Sequence, residues 1–341
     1  MNVLIRADAS AKIGSGHVMR CLALAQAISR DDWDVVFYGD IADALANRVA
    51  MEGFCVIPVV SKVADDAEGT ASMADSCGAD WIVVDGYRFG GEYQRKLRSW
   101  GRRVLFLDDY GHAGSYWASI VLNQNVGARE ETYKHRAAGV HLLLGPEYAM
   151  IREEFLYGPA KSERKFSPLA RRVLVTMGGM DSTDATSLVI DALGLMDDAG
   201  LEVRVAVGGS NPRADALEDA AKQSQTHIII ERNADMPTLM KWADVAISAG
   251  GSTCLELAFM GLPTACVIVG KDQVPGVEAM ALAGAAADLG WQSSCSPLQI
   301  AEEVGALMAN MDRRVAMSAA GRKMVDGKGA DRVFAAMKEG E

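Results

Sequence analysis

The sequence predicts an α/β protein made of two Rossmann-like domains facing across a cleft. Three observations carry this: short β-branched runs alternate with longer alanine- and leucine-rich stretches, the alternation restarts near mid-chain, and glycine clusters follow strand candidates in both halves. At 341 residues the chain also exceeds what one hydrophobic core usually serves. Half the residues are apolar, and glycine (34) far outnumbers proline (9), the balance of a tightly turned globular protein.

In chain order, the first-half strand candidates are 3–6, 34–38, 81–84, 104–107 and 120–122, each followed by turn residues. The second half restarts the pattern at 172–177, 202–207, 227–230, 245–248 and 264–269. Between them lies an aperiodic charged stretch containing Gly158, Pro159 and Pro168. The expected organisation is therefore a first domain over 1–155, a linker over 156–170, a second domain over 171–320 and a helical tail over 321–341 that can cross back to the first domain.

A formal net charge of −11 argues against a protein that neutralises many nucleic-acid phosphates, so no nucleic-acid partner is expected. Six cysteines without a C-x-x-C pair speak against a structural zinc site or a disulfide framework and fit a reducing cytoplasm. The N-terminus reaches a charge too early for a signal peptide, and no 18-residue uncharged apolar run occurs, so no membrane insertion is expected. Composition says nothing about oligomeric state.

In open parallel sheets, ligands bind beyond the carboxyl ends of the strands, where loops enter helix N-termini. The first such loop is Gly14-Ser15-Gly16-His17-Val18-Met19-Arg20. Its glycines allow close approach to the main chain, and the free N–H groups of a helix N-terminus favour an anion or developing negative charge. Met19 stands where a dinucleotide fingerprint needs glycine, so no such cofactor is expected. The positive end of the helix dipole favours a neutral imidazole at His17, which can accept a proton from water. Helix capping by His17, with Arg20 on the surface, explains the same spacing.

The second loop is Ser248-Ala249-Gly250-Gly251-Ser252-Thr253-Cys254-Leu255-Glu256, whose N–H groups can cradle a diphosphate while Glu256 accepts from ribose hydroxyls. A capping box over Thr253 to Glu256 is the structural alternative. Gly178-Gly179-Met180-Asp181 offers similar turn geometry. The one D-x-D, Asp32-Trp33-Asp34, falls at the amino end of the sheet, and Asp108-Asp109 at a carboxyl end is the better-placed acidic pair. No metal site is indicated.

Taken together, these segments resemble the UDP-2,4-diacetamido-2,4,6-trideoxy-β-L-altropyranose hydrolase family of pseudaminic acid biosynthesis. The resemblance is carried by Arg6-Ala7-Asp8, Gly14 to Arg20, Val84-Asp85-Gly86-Tyr87, Leu107-Asp108-Asp109 and Leu122-Asn123-Gln124-Asn125. It continues in Leu144-Gly145-Pro146-Glu147-Tyr148-Ala149, Val175 to Asp181 and Ala249 to Glu256. It implies a GT-B architecture, shared with the N-acetylglucosaminyltransferase that makes lipid II, and a metal-independent, cofactor-free hydrolase whose partner is a small UDP-sugar. By position, His17 resembles the family's essential histidine, and the resemblance places Gly14, Gly16, Arg20, Tyr87, Asn123 and Gln273 on the sugar side. It places Gly178, Gly179, Gly250, Gly251, Ser252, Thr253 and Glu256 on UDP. The sequence departs from the family in Lys271-Asp272-Gln273, where Asn-Gln is common, and the extra carboxylate bears on which sugar is accepted. The competing readings are a GT-B glycosyltransferase using the same donor and a non-catalytic sugar-nucleotide binding protein.

Overall fold

The computed structural model describes residues 1–341 except 11–12, 60–65, 159–163, 197, 199, 209–210, 225 and 340–341. The described residues divide into two compact units, Met1–Arg152 with Gly327–Glu341, and Glu153–Asp326.

The strands of the first unit are β1 (Asn2–Ala7), β2 (Asp34–Gly39), β3 (Cys55–Pro58), β4 (Trp81–Asp85), β5 (Arg103–Leu107), β6 (Ile120–Asn123) and β7 (His141–Leu144). They pair in the order β3-β2-β1-β4-β5-β6-β7, every pair parallel. Strands covered on both faces read as continuous apolar runs rather than alternations. Val3, Ile5 and Ala7 of β1 thus face one core with helix Gly16–Ser29, while Leu4 joins Ile82, Val84 and Phe106 in the core of the other face.

The second unit contains β8 (Arg172–Thr176), β9 (Glu202–Val207), β10 (His227–Arg232), β11 (Val245–Ala249), β12 (Thr264–Ile268) and β13 (Ala287–Trp291). Their order is β10-β9-β8-β11-β12-β13, again all parallel. In each sheet the strand order reverses once, between β1 and β4 and between β8 and β11. Loops leaving adjacent strands diverge at such a switch point and leave a crevice. The glycine loops expected from the sequence follow β1, β8 and β11.

Strands β3, β7 and β13 were not expected. Two are edge strands of the first sheet and one of the second, short segments with mixed patterns. Pro58 ends β3, and β13 carries Gly290 at φ +79° beside a register shift against β12.

Of the segment 156–170, Pro159 and residues 160–163 lie outside the described residues. From Arg164 onward it is held to the second unit. Arg164 donates to the carbonyls of Met240 and Ala243, and Arg314 donates to those of Ser167 and Pro168. Gly321 lies inside helix Met311–Met324, where a Cβ would stand 3.0 Å from the Ala258 carbonyl, so this glycine serves helix packing rather than a break. The return to the first unit comes at Gly327. Helix Gly329–Glu339 buries Ala330, Val333, Phe334 and Met337, an i, i+3, i+4, i+7 stripe, in the first core.

Candidate functional site

The first unit's site is built at the carboxyl ends of β1, β4, β5 and β6. Gly14 takes φ +80°, which lets the chain turn into helix Gly16–Ser29. That helix begins at Ser15 with no side-chain cap and no acidic residue in its first turn, so its N-terminal N–H groups keep their positive potential. His17 sits in this turn, buried. Neither ring nitrogen hydrogen-bonds any described residue, and Nδ1 is fully buried. The ring is held instead by packing: Tyr87 meets it edge-on at 4.9 Å between centroids.

Arg20, one turn further on, is buried rather than on the surface. Its Nε and Nη2 fork onto the two oxygens of Asp85 at 2.6 and 2.7 Å, and Nη1 donates to Asp109 Oδ1 at 2.7 Å. All three guanidinium nitrogens are therefore engaged with carboxylates, and Arg20 holds Asp85 and Asp109 in place. Burial by itself pulls the Arg20 pKa down, but Asp109 and Asp85 outweigh it and raise it well above the ordinary value. Burial likewise pushes Asp109 up, and Arg20 outweighs that, holding its carboxyl far below the usual range.

Asp109 organises the rest. Its Oδ2 accepts from the Tyr87 hydroxyl at 2.8 Å and its Oδ1 from Asn125 Nδ2 at 3.0 Å. Asn123 donates to the Asp109 carbonyl and to the Tyr133 hydroxyl, while its Oδ1 accepts from the Asn125 amide at 2.9 Å. Asn123 is buried, and its amide nitrogen and oxygen are engaged with Asp109, Tyr133 and Asn125. Tyr87 is well exposed, with Tyr110 and His112 rings each 5.4 Å from its own. Behind it, Asp108 accepts from the Tyr116 hydroxyl at 2.6 Å and faces His112 Nδ1 at 3.3 Å. Burial lowers the His112 pKa, but Asp108 and the Phe89 carbonyl more than offset it, so the net shift is upward.

Three of these residues, Asp85, Asp109 and Asn125, were not among the expected site residues. The available signal was positional: an aspartate ends or follows each of the adjacent strands β4 and β5.

In the second unit, helix Thr253–Phe259 follows β11 and Gly250-Gly251. Its N-cap is Ser252, whose side chain makes no capping bond, so the Thr253 to Glu256 capping box is out of register by one residue. The helix entrance is left to other acceptors. A Cβ on Gly250 would stand 2.4 Å from Val277 Cγ2 and 3.1 Å from Gln273 Cβ, whereas one on Gly251 would meet nothing within 4 Å. Gly250 is thus a packing glycine and Gly251 opens onto free space. Gln273, expected on the sugar, uses its Oε1 to accept from Gly250 and Val269 amides, each at 3.1 Å, tying together the loops after β11 and β12. Ser252, Thr253 and Glu256 lie half-buried on the first turn of the helix.

Gly178 (φ +81°) and Gly179 make the turn after β8, and a Cβ on Gly208 would stand 2.1 Å from the Gly179 carbonyl. The helix that follows, Ala185–Gly194, is already capped: Asp181 accepts from the amides of Ala185 and Thr186 at 2.8 and 3.0 Å. That carboxylate occupies the place an anion would take. Among the described residues no group of three or more His, Cys, Asp or Glu is arranged to hold a metal ion, and no helix is long and apolar enough to cross a membrane.

Residues 172–333 match the glycosyltransferase family 28 C-terminal domain. The chain is similar to an uncharacterized protein of Methanocaldococcus jannaschii, 26% identical over 271 residues, which cover 77% of this chain but about half, 54%, of that relative. It is 25% identical over 342 residues to the spore coat polysaccharide biosynthesis protein SpsG of Bacillus subtilis, covering 99% of this chain and 98% of that one. The UDP-2,4-diacetamido-2,4,6-trideoxy-beta-L-altropyranose hydrolase of Campylobacter jejuni is 26% identical over 230 residues, covering 65% and 75%. Among solved structures, MurG of Acinetobacter baumannii superposes with a TM-score of 0.67 at 16% identity, covering 99% of this chain and 100% of that one. The fold is therefore that of the GT-B glycosyltransferases, two parallel-sheet Rossmann-like domains, and the second unit carries the glycosyltransferase family 28 signature.

Proposed function

We propose that the chain is a hydrolase that releases UDP from a UDP-activated deoxy-diacetamido sugar of the kind used to make nonulosonic acids such as pseudaminic acid. The observation that carries this is His17: a buried imidazole, fixed by Tyr87 at a helix entrance, whose buried Nδ1 has no hydrogen-bond partner among the described residues. A buried ring in that condition is suited to bind water or substrate, since an unmet polar group there is otherwise costly. The similarity to the Campylobacter jejuni hydrolase supports the substrate class.

In this reading His17 orients a water molecule and takes its proton as the water oxygen bonds to the anomeric carbon. The bond from that carbon to the diphosphate oxygen breaks, and its electron pair leaves with UDP. The uncapped N–H groups around Gly251, Ser252 and Thr253 stabilise the departing charge, and Glu256 holds the ribose hydroxyls. Arg20 keeps Asp109 ionised, and Asp109 in turn fixes the Tyr87 hydroxyl. A single displacement by water inverts the anomeric centre. No metal takes part.

A glycosyltransferase reading is favoured by the match of residues 172–333 to the family 28 C-terminal domain. It uses the same donor chemistry with an acceptor hydroxyl in place of water. NMR of the protein with a panel of UDP-sugars distinguishes them. Hydrolysis yields free sugar and UDP in equal amounts without an acceptor, while UDP release only after an acceptor is added overturns it. In ¹⁸O-labelled water, unlabelled UDP is expected, and labelled UMP or UDP would show attack at phosphorus instead.

A further inference from the structure

The amino ends of β4 to β7, opposite the carboxyl-end site, border a half-open cavity of about 560 Å³. Its lining includes Arg98, Arg102, Arg103, His141 and Trp81, with Glu339 as the one carboxylate. That balance is unusual in a chain of net charge −11. Arg102 pairs with Asp75, and Arg98 donates to Ser119 Oγ at 2.7 Å. Arg103 has no ion pair among the described residues, and its Nη1 is buried without a hydrogen-bond partner. Trp81 is 1% exposed, and its indole Nε1 is likewise buried without one. The Arg103 guanidinium stands 6.0 Å from the Trp81 ring centroid.

Two unmet buried donors at the wall of one cavity suit an oxygen acceptor, because a buried polar group without a partner costs about 1–3 kcal/mol. Both donors call for the same thing, an anion or a strong oxygen acceptor. Guanidinium forks match tetrahedral phosphate oxygens, and three of them line this wall. The volume falls in the usual range for small-molecule sites, roughly 300–1,000 Å³, larger than a bare ion needs.

We infer that this cavity binds a small soluble phosphate monoester, whose phosphate is held by Arg103 and the Trp81 indole N–H with Arg98 and Arg102 beside them. The site is separate from the proposed hydrolytic chemistry and does not depend on it.

The test follows the Trp81 indole N–H by ¹H–¹⁵N NMR, its signal identified by its loss in Trp81→Phe. Inorganic phosphate is the probe, with chloride at matched ionic strength as control. A saturable shift of the Trp81 signal specific to phosphate is expected, weakened at least about tenfold in Arg103→Gln. Should Arg103→Gln lose its native spectrum, Arg98→Gln gives the same comparison. A shift that is linear, equal with chloride, or untouched in the arginine variants overturns the proposal. Arg103-dependent sedimentation with phosphatidylglycerol vesicles, without saturable binding of free phosphate, also overturns it by moving the phosphate to a lipid headgroup.

Discussion

Replacing Arg20 with methionine isolates the ionic frame of the first unit. The substitution removes three short charge-assisted hydrogen bonds, two to Asp85 and one to Asp109, and leaves both carboxylates in a nearly dry site. Breaking a buried pair by removing one partner costs roughly 3–5 kcal/mol, a large part of the 5–15 kcal/mol that typically holds a domain folded. Because a two-unit chain need not unfold in one step, the loss is best read by native-state hydrogen exchange of the β4 and β5 amides. The pH dependence has a definite sign. Asp109 has a depressed pKa in the folded protein, so its contribution is complete above its unfolded value of about 3.9 and fades as pH falls through the folded value. In the variant, burial without Arg20 favours protonated Asp109, so acid relieves the penalty. The gap between the two proteins is therefore widest at neutral pH and narrows towards pH 4. Adding Asp85→Asn to the variant should recover part of the loss, since an unpaired buried charge is its source. A variant within about 1 kcal/mol of the wild type at pH 7, or a gap indifferent to pH, refutes the reasoning.

His17→Ala is expected to lose turnover while retaining UDP affinity by calorimetry, and Glu256→Ala to weaken UDP by about 1–3 kcal/mol; equal loss of UDP in both would sink the division of labour. Gly250→Ala should lower thermal stability and UDP affinity together because its Cβ would strike Val277 and Gln273, whereas Gly251→Ala should leave the melting temperature unchanged. His112 has a raised pKa, so its pairing with Asp108 stabilises the first unit fully below about pH 6.5 and the contribution is lost as pH rises through the folded value. His112→Gln should flatten that slope in hydrogen exchange. Turnover should survive EDTA, and rescue by magnesium or manganese after its loss would contradict the proposed diphosphate site.

The central strands and the glycine loops were legible in the sequence because each is a local pattern. Buried β-branched runs announce β1, β4, β8 and β11, and Gly14, Gly178, Gly250 and Gly251 mark the turns beyond them. Of the four edge strands, β10 showed through its Ile228-Ile229-Ile230 run, whereas β3, β7 and β13 did not, since a strand with one neighbour needs no continuous apolar run. Side-chain commitments were hidden for a different reason. Arg20 and Asp85 stand 65 positions apart, and Arg20 and Asp109 stand 89 apart. They meet because β1, β4 and β5 are consecutive in the sheet, an ordering that composition does not encode.

The same distinction separates residues that can touch a ligand from those that hold the ones that do. Arg20, Asn123 and Gln273 have the polar groups of a binding site, yet their hydrogen bonds go to Asp85, Asp109, Tyr133 and the amides of Gly250 and Val269. Their substitution should disturb geometry before affinity. His17 differs in kind, because packing fixes its ring while its nitrogens meet no hydrogen-bond partner among the described residues. In the proposed mechanism a hydrolase and a transferase need the same leaving-group cradle, so the choice between them rests on what reaches the His17 imidazole. Water needs only a positioned acceptor for its proton, whereas an acceptor sugar also needs partners for its remaining hydroxyls. Tyr110, exposed and packed on the Tyr87 ring that holds His17, is the group to alter first: if it supports a sugar acceptor, truncating it should abolish transfer while sparing release of UDP to water.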